Sequence, residues 1–120
     1  IMNNKIDAGD IVMQMNLSLE GTITEIFSKM LENDYKIITK IIKQNYKTKK
    51  QIGKPTTYRR RTPEQSELKN LNHSKIFLHN FIRMLGDPYP NAFLKIGKKK
   101  LIFKKSQLNG QKLIIEGEII

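Results

Sequence analysis

Three short stretches carry side chains that could do chemistry. Asp7-Ala8-Gly9 sets a carboxylate beside a glycine, just ahead of an apolar run that starts at Ile11. A carboxylate in that position either stands at the mouth of a site or simply bends the chain as an Asx residue. Tyr58-Arg59-Arg60-Arg61 gathers three guanidiniums behind a phenol. That pattern either holds a phosphate through charge-assisted hydrogen bonds or forms an exposed connector. Glu116 and Glu118 share a face of a strand-like ending, yet two acids near a terminus are ordinarily solvated rather than catalytic.

Residue type and spacing set other chemistries aside. The chain has no cysteine, which removes disulfide scaffolds, thiolate zinc sites and cysteine nucleophiles and suits a reducing compartment. His73 and His79 are six residues apart, off the i, i+4 spacing of two ligands on one helical face, and no metal is expected. Neither a Gly-rich phosphate loop nor a nucleophile elbow is present. No apolar run approaches the ~20 residues that span a bilayer and no signal peptide opens the chain, so a cytoplasmic protein without a membrane partner is expected.

The elements that must position these residues fall into two sets. Ile11 to Leu17 alternates as a strand, with Ile11, Met13, Met15 and Leu17 on one face. Thr22 and Glu25 form a capping box, followed at helical spacing by Ile23, Ile26, Phe27, Met30 and Leu31. Asn33-Asp34 is the expected break in that helix, after which Ile37, Ile38, Ile41 and Ile42 extend the stripe. A second helix, capped by Asn72, carries Ile76, Phe77, Phe81, Met84 and Leu85 and ends near Gly86. Strands over Ala92 to Ile96, Lys100 to Lys104 and Lys112 to Glu116 follow, with Asn109-Gly110 as a hairpin turn.

Charge divides the 120 residues in the same place. The formal net charge of +11 is distributed as −1 over residues 1–45, +7 over 46–61 and +5 over 62–120. The middle stretch contains Gly53 and Pro55 and shows no helical period, which reads as a basic linker. The expected organisation is therefore 1–45 as the end of an α/β domain, 46–63 as linker, and 64–120 as a small α+β module. Lysine outnumbers arginine 18 to 4. Because arginine is the usual reader of bases and phosphates, most of the excess charge is read as solvated surface.

Three stretches in order, Ile6-Asp7-Ala8-Gly9-Asp10-Ile11-Val12, then TYRRRTPEQSEL from Thr57 to Leu68, then FLHNFIRMLGDPYPNAF from Phe77 to Phe93, resemble the folate-dependent formyltransferases. The likeness is nearest to the branch that N-formylates nucleotide-linked amino sugars such as UDP-4-amino-4-deoxy-L-arabinose, for lipopolysaccharide or glycan synthesis. The resemblance implies the end of a Rossmann-like catalytic domain followed by a small OB-like or antiparallel carboxyl-terminal module. It also implies 10-formyltetrahydrofolate as co-substrate. Asp7 matches the Asp of the family's Asn, His and Asp set, and Ile6, Ala8 and Gly9 flank the folate. Tyr58, Arg60 and Arg61 are assigned to the substrate's diphosphate. The family's Asn and His would lie upstream of Ile1, so the chain reads as the carboxyl-terminal part of a longer enzyme and is expected to be inactive alone; a homodimer is compatible with this reading.

Two alternatives stand beside the sugar branch. The methionyl-tRNA branch of the family suits the basic linker and Lys95, Lys98, Lys99, Lys100, Lys104 and Lys105. Against it stand the Arg60-Arg61-Thr62-Pro63-Glu64 run, the absence of tryptophan and the 30 residues that follow Pro90. A non-catalytic basic RNA-binding module would explain the charge but not the Asp7-Ala8-Gly9 turn. The sugar branch is therefore the expectation, with tRNA the lesser partner.

Overall fold

A computed structural model describes residues 1–120, in two compact units: Ile1–Leu19 with Ile26–Arg59, and Glu20–Glu25 with Arg60–Ile120. Helix α1, Ile23–Lys43, runs for 21 residues without a break. Its capping box forms as read: Thr22 N–H donates to Glu25 Oε2 at 2.7 Å, and Glu25 N–H donates to Thr22 Oγ1 at 3.3 Å. Glu25 in the first turn and Lys40 and Lys43 in the last complement the helix dipole. The break expected at Asn33-Asp34 does not occur. Asn33 turns outward and donates to the Asn16 carbonyl at 3.1 Å, so it does not compete with its own helical backbone.

In the first unit the strand expected over Ile11 to Leu17 is reduced to one bridge, in which Ile11 and Lys49 exchange N–H···O bonds of 2.8 Å. An extended segment becomes a strand only where another strand pairs with its backbone, and beyond Ile11 no strand does. Residues 1–45 accordingly build no sheet of their own, and the α/β layer expected of them is represented by α1 and this bridge.

The second unit is a four-stranded sheet backed by one helix. A 3-10 turn, Pro63–Ser66, leads into β1, Glu67–Leu68; helix α2, Lys75–Arg83, follows, then β2, Phe93–Ile96, β3, Lys99–Asn109, and β4, Lys112–Ile119. The order is β1-β2-β3-β4. β1 lies parallel to β2, while β2, β3 and β4 are antiparallel. The module is thus mixed rather than wholly antiparallel, and the sheet is open rather than a closed barrel. All three strands read from the sequence are present, and β3 and β4 extend beyond the expected ends. Gly110, at φ +56, supplies the left-handed residue that the Asn109-Gly110 hairpin needs. A register shift between Phe103 and Lys105 bends β3 opposite Gly117. There a side chain on residue 117 would begin 2.6 Å from the Ile102 carbonyl oxygen.

Helix α2 starts two residues later than expected. Ser74, not Asn72, is its cap and accepts from Phe77 N–H at 3.2 Å. Asn72 is occupied in the preceding turn, where its N–H donates to Asn70 Oδ1 at 2.9 Å. The core consists of Leu68, Leu78, Ile82, Leu85, Ala92 and Phe103, with Phe81, Leu94, Leu101, Leu113 and Ile115 around it. The face of α2 turned to the sheet is therefore Leu78 and Ile82, continued by Leu85 just past the helix end. Ile76 and Phe77, apolar positions at helical spacing, are exposed. Both stripes of this helix are apolar, and periodicity alone does not choose between them.

Candidate functional site

The sheet face away from the core carries a basic strip. Phe93 pairs with Ile102, and Lys95 pairs directly with Lys100. Cross-strand neighbours share a face, so two like-charged side chains start side by side there, an arrangement that by itself costs stability. Two local contacts offset it. Lys95 Nζ reaches Glu67 Oε2 at 3.1 Å, and Lys100 Nζ sits 5.1 Å from the Phe93 ring centroid. Lys69 also reaches Glu67, at 3.0 Å. Hydrogen bonds from Lys69 and then Lys95 hold the Glu67 carboxyl below its usual range. A hydrogen bond from Thr62 does the same for Glu64. A recess of about 310 Å³ on this face is lined by Phe93, Lys100, Ile102 and Lys104 together with Asp87, Tyr89, Pro90, Asn91 and Ile120. Glu118 lies 4.0 Å from Lys104 along β4, leaving the lysines of β2 and β3 as the basic centre of the sheet.

On the other side of the same unit, the second apolar stripe of α2 meets the segment Arg60–Ser66. Phe77, Asn80, Phe81, Met84 and Leu85 form one wall and Arg60, Arg61, Thr62, Pro63 and Ser66 the other, with Tyr89 and Pro90 at the end of a groove of about 870 Å³. The segment is held locally. Thr62 N–H donates to Gln65 Oε1 at 2.9 Å, Arg61 Nη2 donates to the Gln65 carbonyl at 2.7 Å, and Ser66 Oγ donates to the Pro90 carbonyl at 3.2 Å. The Arg61 guanidinium lies over Phe81, 5.8 Å from its centroid. Arg60 and Arg61 are thus brought together on one groove. Tyr58, 89% exposed, does not line it. Helical spacing marks Phe77 and Phe81 only as apolar positions and carries no signal that they form an aromatic wall.

In the first unit Asp7 occupies the left-handed region, at φ +52, and is exposed. Asp and Asn tolerate that conformation better than most residues, so the turn chemistry of Asp7-Ala8-Gly9 is expressed. Gln51 Nε2 braces the loop by donating to the carbonyls of Asp7 at 2.9 Å and Gly9 at 2.7 Å. Asn3 Nδ2 donates to the Ala8 carbonyl at 3.0 Å. Asp7, Gly9, Asp10 and Gln51 border an open concavity of about 460 Å³. Ile6 points outward, fully in solvent. The loop offers a braced, solvent-facing carboxylate beside an open space, a geometry able to accept a hydrogen bond or proton. No three His, Asp or Glu side chains cluster as a metal site.

A helix-backed, four-stranded mixed sheet with this basic centre is a small α/β module, and its sequence identifies the class. Residues 63–120 match the family described as "Methionyl-tRNA formyltransferase, C-terminal domain", which supports a formyltransferase-type module over that part of the chain. A solved structure titled "Methionyl-tRNA formyltransferase from Clostridium thermocellum" is similar over 99% of the chain, at 38% identity and a TM-score of 0.83. The chain spans about half of that protein, 53% of its length.

These findings support the family that the sequence resembled but not its nucleotide-sugar branch; they fit the tRNA alternative better. The Arg83–Phe93 run, part of the longest stretch that carried the resemblance, builds the module. Arg83 donates to the Gly21 carbonyl, the Asp87 carbonyl accepts from Thr24 Oγ1 at 3.4 Å, Pro90 accepts from Ser66, and Ala92 is fully buried. The Arg83–Phe93 run therefore reports the fold of this domain and carries little information about substrate.

Proposed function

We propose that this chain is a carboxyl-terminal part of a methionyl-tRNA formyltransferase, and that its second unit holds tRNA while the intact enzyme formylates the methionyl amine. The observation that carries the reading is the 38% identity across nearly the whole chain to a protein of that title. The sheet supports it. Lys95 beside Lys100 places two positive charges on one face of the sheet, where a polyanion can neutralise them. Lys104 extends the strip along β3, and Lys98 and Lys99 cluster at the β2–β3 hairpin.

10-Formyltetrahydrofolate, as co-substrate, supplies the formyl group when bound. In this reading Asp7 orients the base that takes the proton from the attacking amine, on the loop braced by Gln51, and Ile6, Ala8 and Gly9 border the folate. Tyr58 and Arg60 contribute backbone phosphate contacts from the connector. The organisation is then residues 1–45 with the catalytic part, 46–63 as connector and 64–120 as the tRNA-holding module.

The intact enzyme, titrated with initiator tRNA at two salt concentrations, tests the proposal. Affinity should fall by roughly 0.7–0.9 log units per phosphate contact for each tenfold rise in salt. Formylation of methionyl-tRNA should also be observed. Binding and formylation of a nucleotide-linked amino sugar, with no tRNA affinity, would restore the sugar branch.

A further inference from the structure

We propose that the groove between α2 and the Arg60–Ser66 segment seats one unpaired nucleotide of an RNA, its base on Phe77 and its phosphate on Arg60. The inference rests on the tRNA reading and deepens it by naming a site separate from the lysine strip. A row of flat groups runs along α2. His73 and Phe77 have centroids 4.7 Å apart, Phe77 and Phe81 are stacked at 5.7 Å, and Arg61 closes the row over Phe81. Phe77 is 44% exposed, so part of its ring, between His73 and Phe81, remains open on the groove side.

The walls define what that partner is. Two arginines and no carboxylate border the groove, which selects an anion. Its remaining lining is largely aromatic and aliphatic, which selects a flat ring over a bare phosphate. Asn80 adds a polar handle. Its Oδ1 accepts from Arg83 Nε at 2.8 Å, which fixes the amide so that its nitrogen can donate to the edge of a ring. An aromatic platform beside guanidiniums is how proteins hold single-stranded nucleic acid, and stacking there tolerates any base because every base has a π-face. A paired base has both faces covered within the duplex, so the occupant is an unpaired nucleotide. The volume of about 870 Å³ accommodates one nucleotide with room to spare.

The test uses the intact enzyme and a single-stranded trinucleotide carrying 2-aminopurine, whose fluorescence is quenched on stacking. Quenching on binding is expected. Phe77→Leu should weaken trinucleotide binding about tenfold or more and abolish the quench, while Phe77→Tyr retains both. Arg60→Gln should weaken binding but keep the quench, and a blunt RNA duplex should bind Phe77→Leu as it binds wild type. If the enzyme binds tRNA but shows no quench, and Phe77→Leu binds the trinucleotide as well as wild type does, the groove proposal falls and the tRNA reading stands. If the enzyme binds neither tRNA nor trinucleotide, both fall. Self-association that Phe77→Leu abolishes, without quenching, would assign the groove to a second copy and overturn the proposal. Protection of Phe77 by another segment of the intact chain would overturn it equally. Unchanged thermal unfolding of Phe77→Leu confirms that a loss of binding is not a loss of fold.

Discussion

Two isoleucine-to-alanine substitutions on one helix give the sharpest test of how α2 is seated. Ile82 is 1% exposed at the centre of the core and Ile76 is 63% exposed on the opposite stripe. Ile82→Ala deletes three carbons, each worth about 0.8 kcal/mol when buried, or about 2.4 kcal/mol together. The cavity left among Leu78, Leu85 and Phe103 raises the expected cost to about 3–4 kcal/mol, within the range seen for such truncations. Ile76→Ala deletes the same carbons from solvent. It gains a few tenths of a kcal/mol from the better helix propensity of alanine, so its net effect stays within about 0.5 kcal/mol. Followed by circular dichroism, thermal unfolding of the two variants should differ widely: the midpoint of Ile82→Ala should fall by at least about 10 °C and that of Ile76→Ala should barely move. Equal shifts, or a larger one for Ile76→Ala, would refute the assignment of the buried face and with it the open Phe77 stripe on which the groove depends.

The remaining predictions concern charge, backbone and site. Lys69 and Lys95 lower the pKa of Glu67, so the stability this carboxylate adds is present above its unfolded value, near 4.3, and is lost as pH falls through the lowered folded value. Glu67→Gln should flatten that part of the acid unfolding profile, and an unchanged profile below pH 5 would contradict it. Gly117→Ala places a carbon 2.6 Å from the Ile102 carbonyl oxygen; it should destabilise the β3–β4 pair by about 1–3 kcal/mol, read as faster amide exchange in both strands. Replacing Lys95, Lys100 and Lys104 together by glutamine should make the salt dependence of tRNA binding shallower by roughly 0.7–0.9 log units per lost contact, and an unaltered slope would remove the sheet from the interface. In the intact enzyme Asp7→Asn should lower turnover about a hundredfold or more with the fold preserved, whereas unchanged turnover would leave Asp7 as a turn residue only.

Local chemistry that closes within a few residues was legible in the sequence. The Thr22–Glu25 box, the Asn109-Gly110 hairpin, the end of α2 ahead of Gly86 and the alternating strands of the sheet each depend on neighbours in the chain, and each is present. The resemblance carried by Asp7-Ala8-Gly9 and the Arg83–Phe93 run also pointed to the family that the matched module supports. Its nucleotide-sugar branch is not supported, and the Arg83–Phe93 run, which holds the second unit together, says little about substrate. What spacing did not decide was every choice among partners distant in the chain. β1 is two residues whose strand character comes entirely from pairing with β2, so it left no periodic signal. The Ile11–Leu17 run had the signal but, beyond Ile11, lacks the neighbour that makes a strand. In α2 two apolar stripes compete, and only contact with Leu68, Ala92 and Phe103 sends Leu78 and Ile82 inward and leaves Phe77 beside Arg60 and Arg61. Hydrogen bonds within a turn are written locally, whereas burial is settled by which surfaces the whole chain brings together.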